Sequence, residues 1–240
     1  MTQPQLLIAS DFDGTLAPFA DDPADVVPDA RALAALTRLA GYPGVTVAIL
    51  SGRALTSLRA VLPPTVPFLL IGSHGAESSA EPVDLSAAQE AALAAVDTAL
   101  APLCTEGAWV EEKPVHRVFH VRPVRDAQLR EEKLAAANDI AHQLAPAHPV
   151  LKAMSGKNVV EFAVSAISKG AWIEENREDA QVIFAGDDTT DETVFAVLRP
   201  GDVGIKVGSG HTAARVRVGD VAGLADYLEQ LADQYGSSLP

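Results

Sequence analysis

Five short runs, at residues 6–9, 45–50, 68–71, 182–185 and 203–207, set the terms on which this chain can fold. Each is largely apolar rather than alternating, and a strand without alternation is buried on both faces, the situation found in a parallel sheet covered by helices. Helical patterns lie between the runs. Residues 28–40 carry Leu33, Leu36 and Leu39 along one side, with Pro28 expected in the first turn. A second helix is expected to follow Arg53 and to stop near residue 62, before Pro63-Pro64. The resulting β-α-β-α-β order is that of an α/β fold, a Rossmann-like doubly wound parallel sheet. The pattern returns at Ser168, with a helix to about residue 176, the runs at 182–185 and 203–207, and a last helix from residue 220.

The stretch between reads differently. Ser86 and Gln89 form a capping box ahead of a helix bearing Leu93, Val96, Leu100 and Leu103. Residues 109–113 and 117–122 read as strands around Pro114, and a second long helix spans 126–144. Two further strands are expected at 150–154 and 157–164, separated by Ser155-Gly156. Two helices and four strands make a small α+β unit. The expectation is therefore a core of residues 1–81 with 165–240 and an inserted cap domain of residues 82–164.

At 240 residues and 48% hydrophobic content the chain can bury a sizeable core. Its formal charge of −14 argues against nucleic acid and anionic lipid as partners, since both need basic patches. An anionic substrate would have to be drawn by local charge. No segment is long and apolar enough to span a membrane, and the polar residues 1–5 are unlike a signal peptide, so a cytoplasmic monomer is the expectation. Cys104 is the sole cysteine, which excludes an internal disulfide and a cysteine-based zinc cluster; its place near the end of an apolar helix suggests a small buried side chain.

The chemistry concentrates where strands end. Asp11 and Asp13 follow the first run, two positions apart and so on one side of a strand tip, with Gly14-Thr15 turning the chain away. Two acids this close require a cation between them, and hard carboxylate oxygens suit Mg²⁺. Taken alone, the six residues 10–15 are equally an Asx-rich turn. Ser51-Gly52-Arg53 alone is a helix start, Lys169 alone a solvated lysine, and Asp187, Asp188 and Asp191 alone an acidic helix N-terminus. All of them fall at strand ends or beside them, where open parallel sheets bind ligands.

In that order, Asp11-x-Asp13-Gly14-Thr15, Ser51-Gly52-Arg53, Lys169-Gly170 and Gly186-Asp187-Asp188-x-x-Asp191 resemble the four motifs of the haloacid-dehalogenase-like phosphatases. The resemblance implies roles. Asp11 would be the nucleophile that forms an aspartyl-phosphate, and Asp13 the general acid and then base. Ser51 and Lys169 would hold phosphoryl oxygens. Mg²⁺ would sit on Asp11, the Asp13 carbonyl and Asp187, with Asp188 and Asp191 in support. The short interval after Thr15 leaves no room for a cap there, which places the cap between the third strand and Lys169.

Within that superfamily the chain is similar to the trehalose-6-phosphate phosphatases. The residues carrying the similarity are Gly72 to Glu77, Val110-Glu111-Glu112-Lys113 with His120-Val121-Arg122, Gly156-Lys157-x-x-x-Glu161, and Gly186 to Glu192. The family would use Glu111, Lys113, Lys157 and Glu161 to hold a sugar phosphate, with Arg122 a further substrate contact. Period-2 geometry puts Glu111 with Lys113, and Lys157 with Glu161, on shared strand faces; exposed ion pairs would look the same. Arg53, His74 and His120 stay open between ligand contact and structural support. Two other readings remain: a phosphatase for another phosphorylated disaccharide or glycoside, such as sucrose phosphate or mannosylglycerate phosphate, and a signalling domain that accepts phosphate on Asp without turnover.

Overall fold

The computed structural model describes residues 6–80, 84–165 and 168–237. Strand β1 (Leu6–Ser10) leads to helix α1 (Ala30–Ala40), strand β2 (Val45–Leu50), helix α2 (Leu55–Val61) and strands β3 (Leu69–Gly72) and β4 (Glu77–Ser78). Next come α3 (Ala87–Leu100), β5 (Trp109–Lys113), β6 (His116–His120), α4 (Ala127–Leu144), β7 (Lys152–Gly156) and β8 (Val159–Ala163). The chain ends with α5 (Lys169–Asn176), β9 (Gln181–Gly186), α6 (Glu192–Phe195), β10 (Val203–Val207), β11 (Val216–Val218) and α7 (Val221–Ser237). It divides into two compact units, Met1–Pro82 with Ile167–Pro240 and Val83–Ala166.

The first unit is built on a seven-stranded sheet in the order β11-β10-β9-β1-β2-β3-β4, parallel except for β4. The runs are apolar on both sides because both faces of this sheet are covered. Leu6 and Ile8 of β1 point into a core shared with α1, α2 and α7, while Leu7 and Ala9 point into a second core shared with α5 and α6. Leu36 and Leu39 of α1 are essentially sealed from solvent; each such side chain contributes about 1.5–3 kcal/mol by burial. The chain winds outward from β1 in both directions, so β1 lies at the switch point where a doubly wound sheet opens a crevice. Register brings the crevice walls level, for Ser10 pairs with both Ile49 and Ala185.

Details depart from the sequence pattern for local reasons. Helix α1 starts after Asp29, whose carboxylate accepts from the N–H groups of Arg31 and Ala32 at 2.9 and 3.0 Å, so Pro28 stays outside the first turn. The side-chain cap fixes the start. The short edge strands β4 and β11 carry too few residues to show a period.

The second unit is an antiparallel sheet in the order β5-β6-β8-β7. One face, with Phe119, Val160 and Phe162 fully buried, packs against α3 and α4. The capping box at Ser86 forms as expected, the hydroxyl accepting from Gln89 N–H while the Gln89 side chain accepts from Ser86 N–H. The opposite face carries Trp109, Glu111 and Lys113 on β5, His116, Val118 and His120 on β6, and Glu161 on β8, by the pairing register.

Three expectations are corrected here. The β7–β8 turn is Lys157-Asn158 rather than Ser155-Gly156, because Asn158 takes up the left-handed conformation (φ 64°) that Asn tolerates well. Lys157 therefore sits in the turn and does not share a strand face with Glu161. Arg122 lies in the turn beyond β6, next to Pro123, and not in the strand expected over 117–122. Cys104 is exposed, because the chain tightens into a 3₁₀ turn at Ala101–Leu103, with Pro102 in it, and leaves the helix before the cysteine.

Candidate active site

Asp11 emerges from β1 into the crevice and is buried. Ser168 caps α5 by accepting from Ala171 N–H, which sets Lys169 as the first helical residue, facing β1. Lys169 is itself buried, and its ammonium donates to Asp11 Oδ1 at 2.6 Å and to Asp191 Oδ1 at 2.7 Å. The other oxygen of Asp191 accepts the backbone N–H groups of Asp187 and Asp188, at 2.9 Å each, which folds the loop after β9 around one carboxylate. Thr15 donates to Asp187 Oδ1 at 3.1 Å, and Lys206 of β10 donates to the Asp187 carbonyl.

Asp13 faces the same crevice but has a different partner. Arg53 grips it in a fork, Nε to Oδ2 at 2.7 Å and Nη2 to Oδ1 at 2.6 Å. The Arg53 N–H also donates to the hydroxyl of Ser51, which is buried at the tip of β2. Two glycines of the crevice leave little room for a side chain. A side chain at Gly14, where φ is 81°, would come within 2.3 Å of an Asp187 oxygen, and one at Gly52 within 2.6 Å of the His74 ring. The pocket that results has a volume of about 380 Å³ and is lined by Asp11, Asp13, Arg53, His74, Lys169, Asp187 and Asp188, with Phe19 and Pro23 on its apolar side. Ser51 and Asp191 stand behind this lining.

Burial pushes the Asp11 carboxyl up to about 7, against the pull of the Lys169 ammonium, and the nearby Asp191 charge adds to the rise. Burial also raises Asp187, opposed by the Thr15 hydroxyl. Burial alone would lower Lys169, but the carboxylates of Asp11 and Asp191 more than reverse this and raise it. Asp188 is lowered, despite burial, by hydrogen bonds from Thr189. Oxygens of Asp11, Asp187 and Asp191 lie within 4.8 Å of one another. Asp191 already accepts from Lys169 and two backbone N–H groups, so Asp11 and Asp187 are the pair with more oxygen left for a cation. A buried and a half-buried carboxylate, both with their charged forms disfavoured as they stand, fit a hard divalent cation, which would relieve both.

The structure thus gathers Asp11, Asp13, Lys169, Asp187 and Asp188 into one pocket, with Asp191 and Ser51 supporting it. In the second unit Glu111, Lys113 and Glu161 share one sheet face, while Lys157 and Arg122 occupy turns. Glu111 Oε1 lies 3.8 Å from the Lys113 ammonium. Sequence reasoning passed over Lys206 and His116. A lone lysine inside the buried run 203–207 was the available signal for the first, and alternation of His116 with His120 for the second.

The fold is similar to that of a solved sugar phosphatase of HAD subclass IIB, at a TM-score of 0.52 and 15% identity, covering 95% of this chain and 99% of that one. Residues 9–230 match the trehalose-phosphatase family, and the chain belongs to that family. It is 33% identical over 237 residues to a bifunctional trehalose-6-phosphate synthase/phosphatase of Thermoproteus tenax, covering 94% of this chain but only 32% of that protein. It is 32% identical over 234 residues to trehalose-6-phosphate phosphatase of Escherichia coli, covering 92% of this chain and 84% of the relative. The solved structure of a trehalose-6-phosphate phosphatase related protein superposes with a TM-score of 0.75 at 24% identity, covering 97% of this chain and all of the other.

Proposed function

We propose that the protein is a Mg²⁺-dependent phosphatase that hydrolyses trehalose 6-phosphate to trehalose and phosphate. The observation that carries the reading is the buried Lys169–Asp11 contact of 2.6 Å at the mouth of β1, with Asp13 two residues on. A lysine there neutralises phosphoryl charge while aligning one Asp11 oxygen, which leaves the carboxylate aimed at phosphorus. Asp11 attacks, the bond from phosphorus to the sugar oxygen breaks, and Asp13 gives a proton to that oxygen. Water then attacks the aspartyl-phosphate, Asp13 takes its proton, and phosphate leaves with Asp11 restored. Arg53 holds Asp13 beside the path; the Asp13 that acts as acid is the protonated form left when it takes a proton from water, with one arm of the Arg53 fork released so that this oxygen faces the leaving group. A bound Mg²⁺ on Asp11, the Asp13 carbonyl and Asp187 would neutralise charge on the transferring group. Ser51 is assigned to a phosphoryl oxygen, and Asp188 and Asp191 to support of the metal and Lys169.

The second unit, Val83–Ala166, acts in this reading as a cap that selects the sugar through Glu111, Lys113, Lys157, Glu161 and Arg122. Membership of the trehalose-phosphatase family supports the disaccharide. The test is phosphate release from a panel of sugar phosphates with Mg²⁺ and with a chelator. Trehalose 6-phosphate should have the highest kcat/KM, and chelation should abolish turnover. Preference for a monosaccharide phosphate would overturn the substrate, and full activity in chelator would overturn the metal.

A further inference from the structure

On the helix-free face of the second unit's sheet, Glu111 and Glu161 both pair in register with Val118 of β6, one from each side. They therefore stand abreast, two strand spacings or about 9.5 Å apart. Each is held by a histidine of β6. His116 Nδ1 is 2.8 Å from Glu161 Oε1, and His120 Nε2 is 3.1 Å from Glu111 Oε2. A carboxylate only accepts, so the two rings donate from opposite nitrogens. Neither imidazole is loosely placed. His116 is buried, and His120 lies flat against Trp109, with ring centroids 4.4 Å apart and planes 12° from parallel.

We propose that His116 and His120 are positioning residues for substrate recognition: each pins one carboxylate oxygen, so that Glu161 and Glu111 present fixed acceptors to the hydroxyl groups of the sugar. The proposal rests on the reading that this sheet face takes the sugar. A glutamate on an open strand otherwise samples several rotamers, and ordering it on binding costs affinity. A pre-aimed pair spaced by two strands suits a sugar whose hydroxyl groups project to both sides.

The two donor nitrogens give an atom-specific test. The Asn side-chain nitrogen reproduces Nδ1, and that of Gln reproduces Nε2. His116→Asn and His120→Gln should keep kcat/KM for trehalose 6-phosphate within about twofold, while His116→Gln and His120→Asn should lose about tenfold, the scale of one hydrogen bond to a charged group. The loss should fall on KM, and the ratio to kcat/KM for p-nitrophenyl phosphate should drop with it. Equal behaviour of Asn and Gln at each position, or parallel loss on both substrates, would overturn the proposal while leaving the substrate reading intact. A wild-type protein that cleaves p-nitrophenyl phosphate but no disaccharide phosphate would overturn both. Long-range ¹H–¹⁵N spectra of the wild type give a readout free of any folding defect: a proton on Nδ1 of His116 and Nε2 of His120 is expected, and a bare nitrogen at either place would sink the idea.

Discussion

The two units handle charge in opposite ways. At the strand ends of the first, Asp11, Lys169 and Asp191 are locked together, and their side chains are at most 7% exposed. On the sheet face of the second, Glu111, Lys113, His120 and Glu161 keep between 15% and 36% of their side chains in solvent. Charges buried this deeply persist where each meets an opposite charge, and Lys169 stands between both carboxylates. Such a cluster is rigid, and a rigid array of alternating charge suits phosphoryl transfer, which is chiefly positioning and neutralisation. Half-exposed carboxylates and ammonium groups keep hydrogen-bonding capacity for hydroxyls that arrive from water. On the proposed function, the first unit would serve one group, a phosphoryl, and the second would offer the surface that tells one sugar from another.

That contrast can be broken most severely at Asp11. Asp11→Asn should lower kcat by about 10⁴-fold or more on sugar and aryl phosphates alike, since the amide cannot attack phosphorus. Cooperative melting should persist, because the nearly isosteric amide still accepts from Lys169. Substantial turnover by the variant would remove Asp11 from the nucleophile's role.

A second test concerns a buried pair remote from the chemistry. Arg177 forks onto Asp202 at 2.6 and 2.9 Å, and Asp202 also accepts from Val182 N–H at 2.9 Å. Burial opposes its charge, but the Arg177 fork and backbone donors win and lower the Asp202 pKa. A lowered carboxylate contributes stability above its ordinary value of about 3.9 and loses it as pH falls through the folded value. Asp202→Asn should therefore cost about 3–5 kcal/mol at pH 7, with the gap to wild type narrowing below about pH 4. Urea unfolding at the two pH values measures this; a gap that is unchanged or wider in acid contradicts the assignment.

The sugar face should respond more selectively. Glu111→Ala or Glu161→Ala should lower the ratio of kcat/KM for trehalose 6-phosphate over that for p-nitrophenyl phosphate by about 30-fold or more, equivalent to about 2 kcal/mol or more. An unchanged ratio would make these residues ordinary cross-strand ion pairs. The smallest effect is expected at Ser86, whose capping box starts α3. Ser86→Ala should cost about 1 kcal/mol. Because α3 belongs to the second unit, amide exchange should quicken there and stay unchanged in α1 and α7. Equal quickening in both units would show that they do not open independently.

The sequence alone determined the sheet class and the acids that follow its strands. Doubly buried strands write themselves as continuous apolar runs, capping residues mark helix starts, and ligand groups of such sheets follow strand ends; all three signals are local. Tertiary structure decided who meets whom. That Asp13 takes Arg53 rather than Lys169, that Lys206 reaches the Asp187 carbonyl, and that Glu111 and Glu161 come to flank Val118 all follow from strand order and register. The turn at Lys157-Asn158 shows why these were hidden. Moving a hairpin turn by two residues took Lys157 off the strand, and the turn's place depended on one Asn accepting a left-handed backbone. Register is set by the packing of whole faces, so no single stretch of sequence carries it.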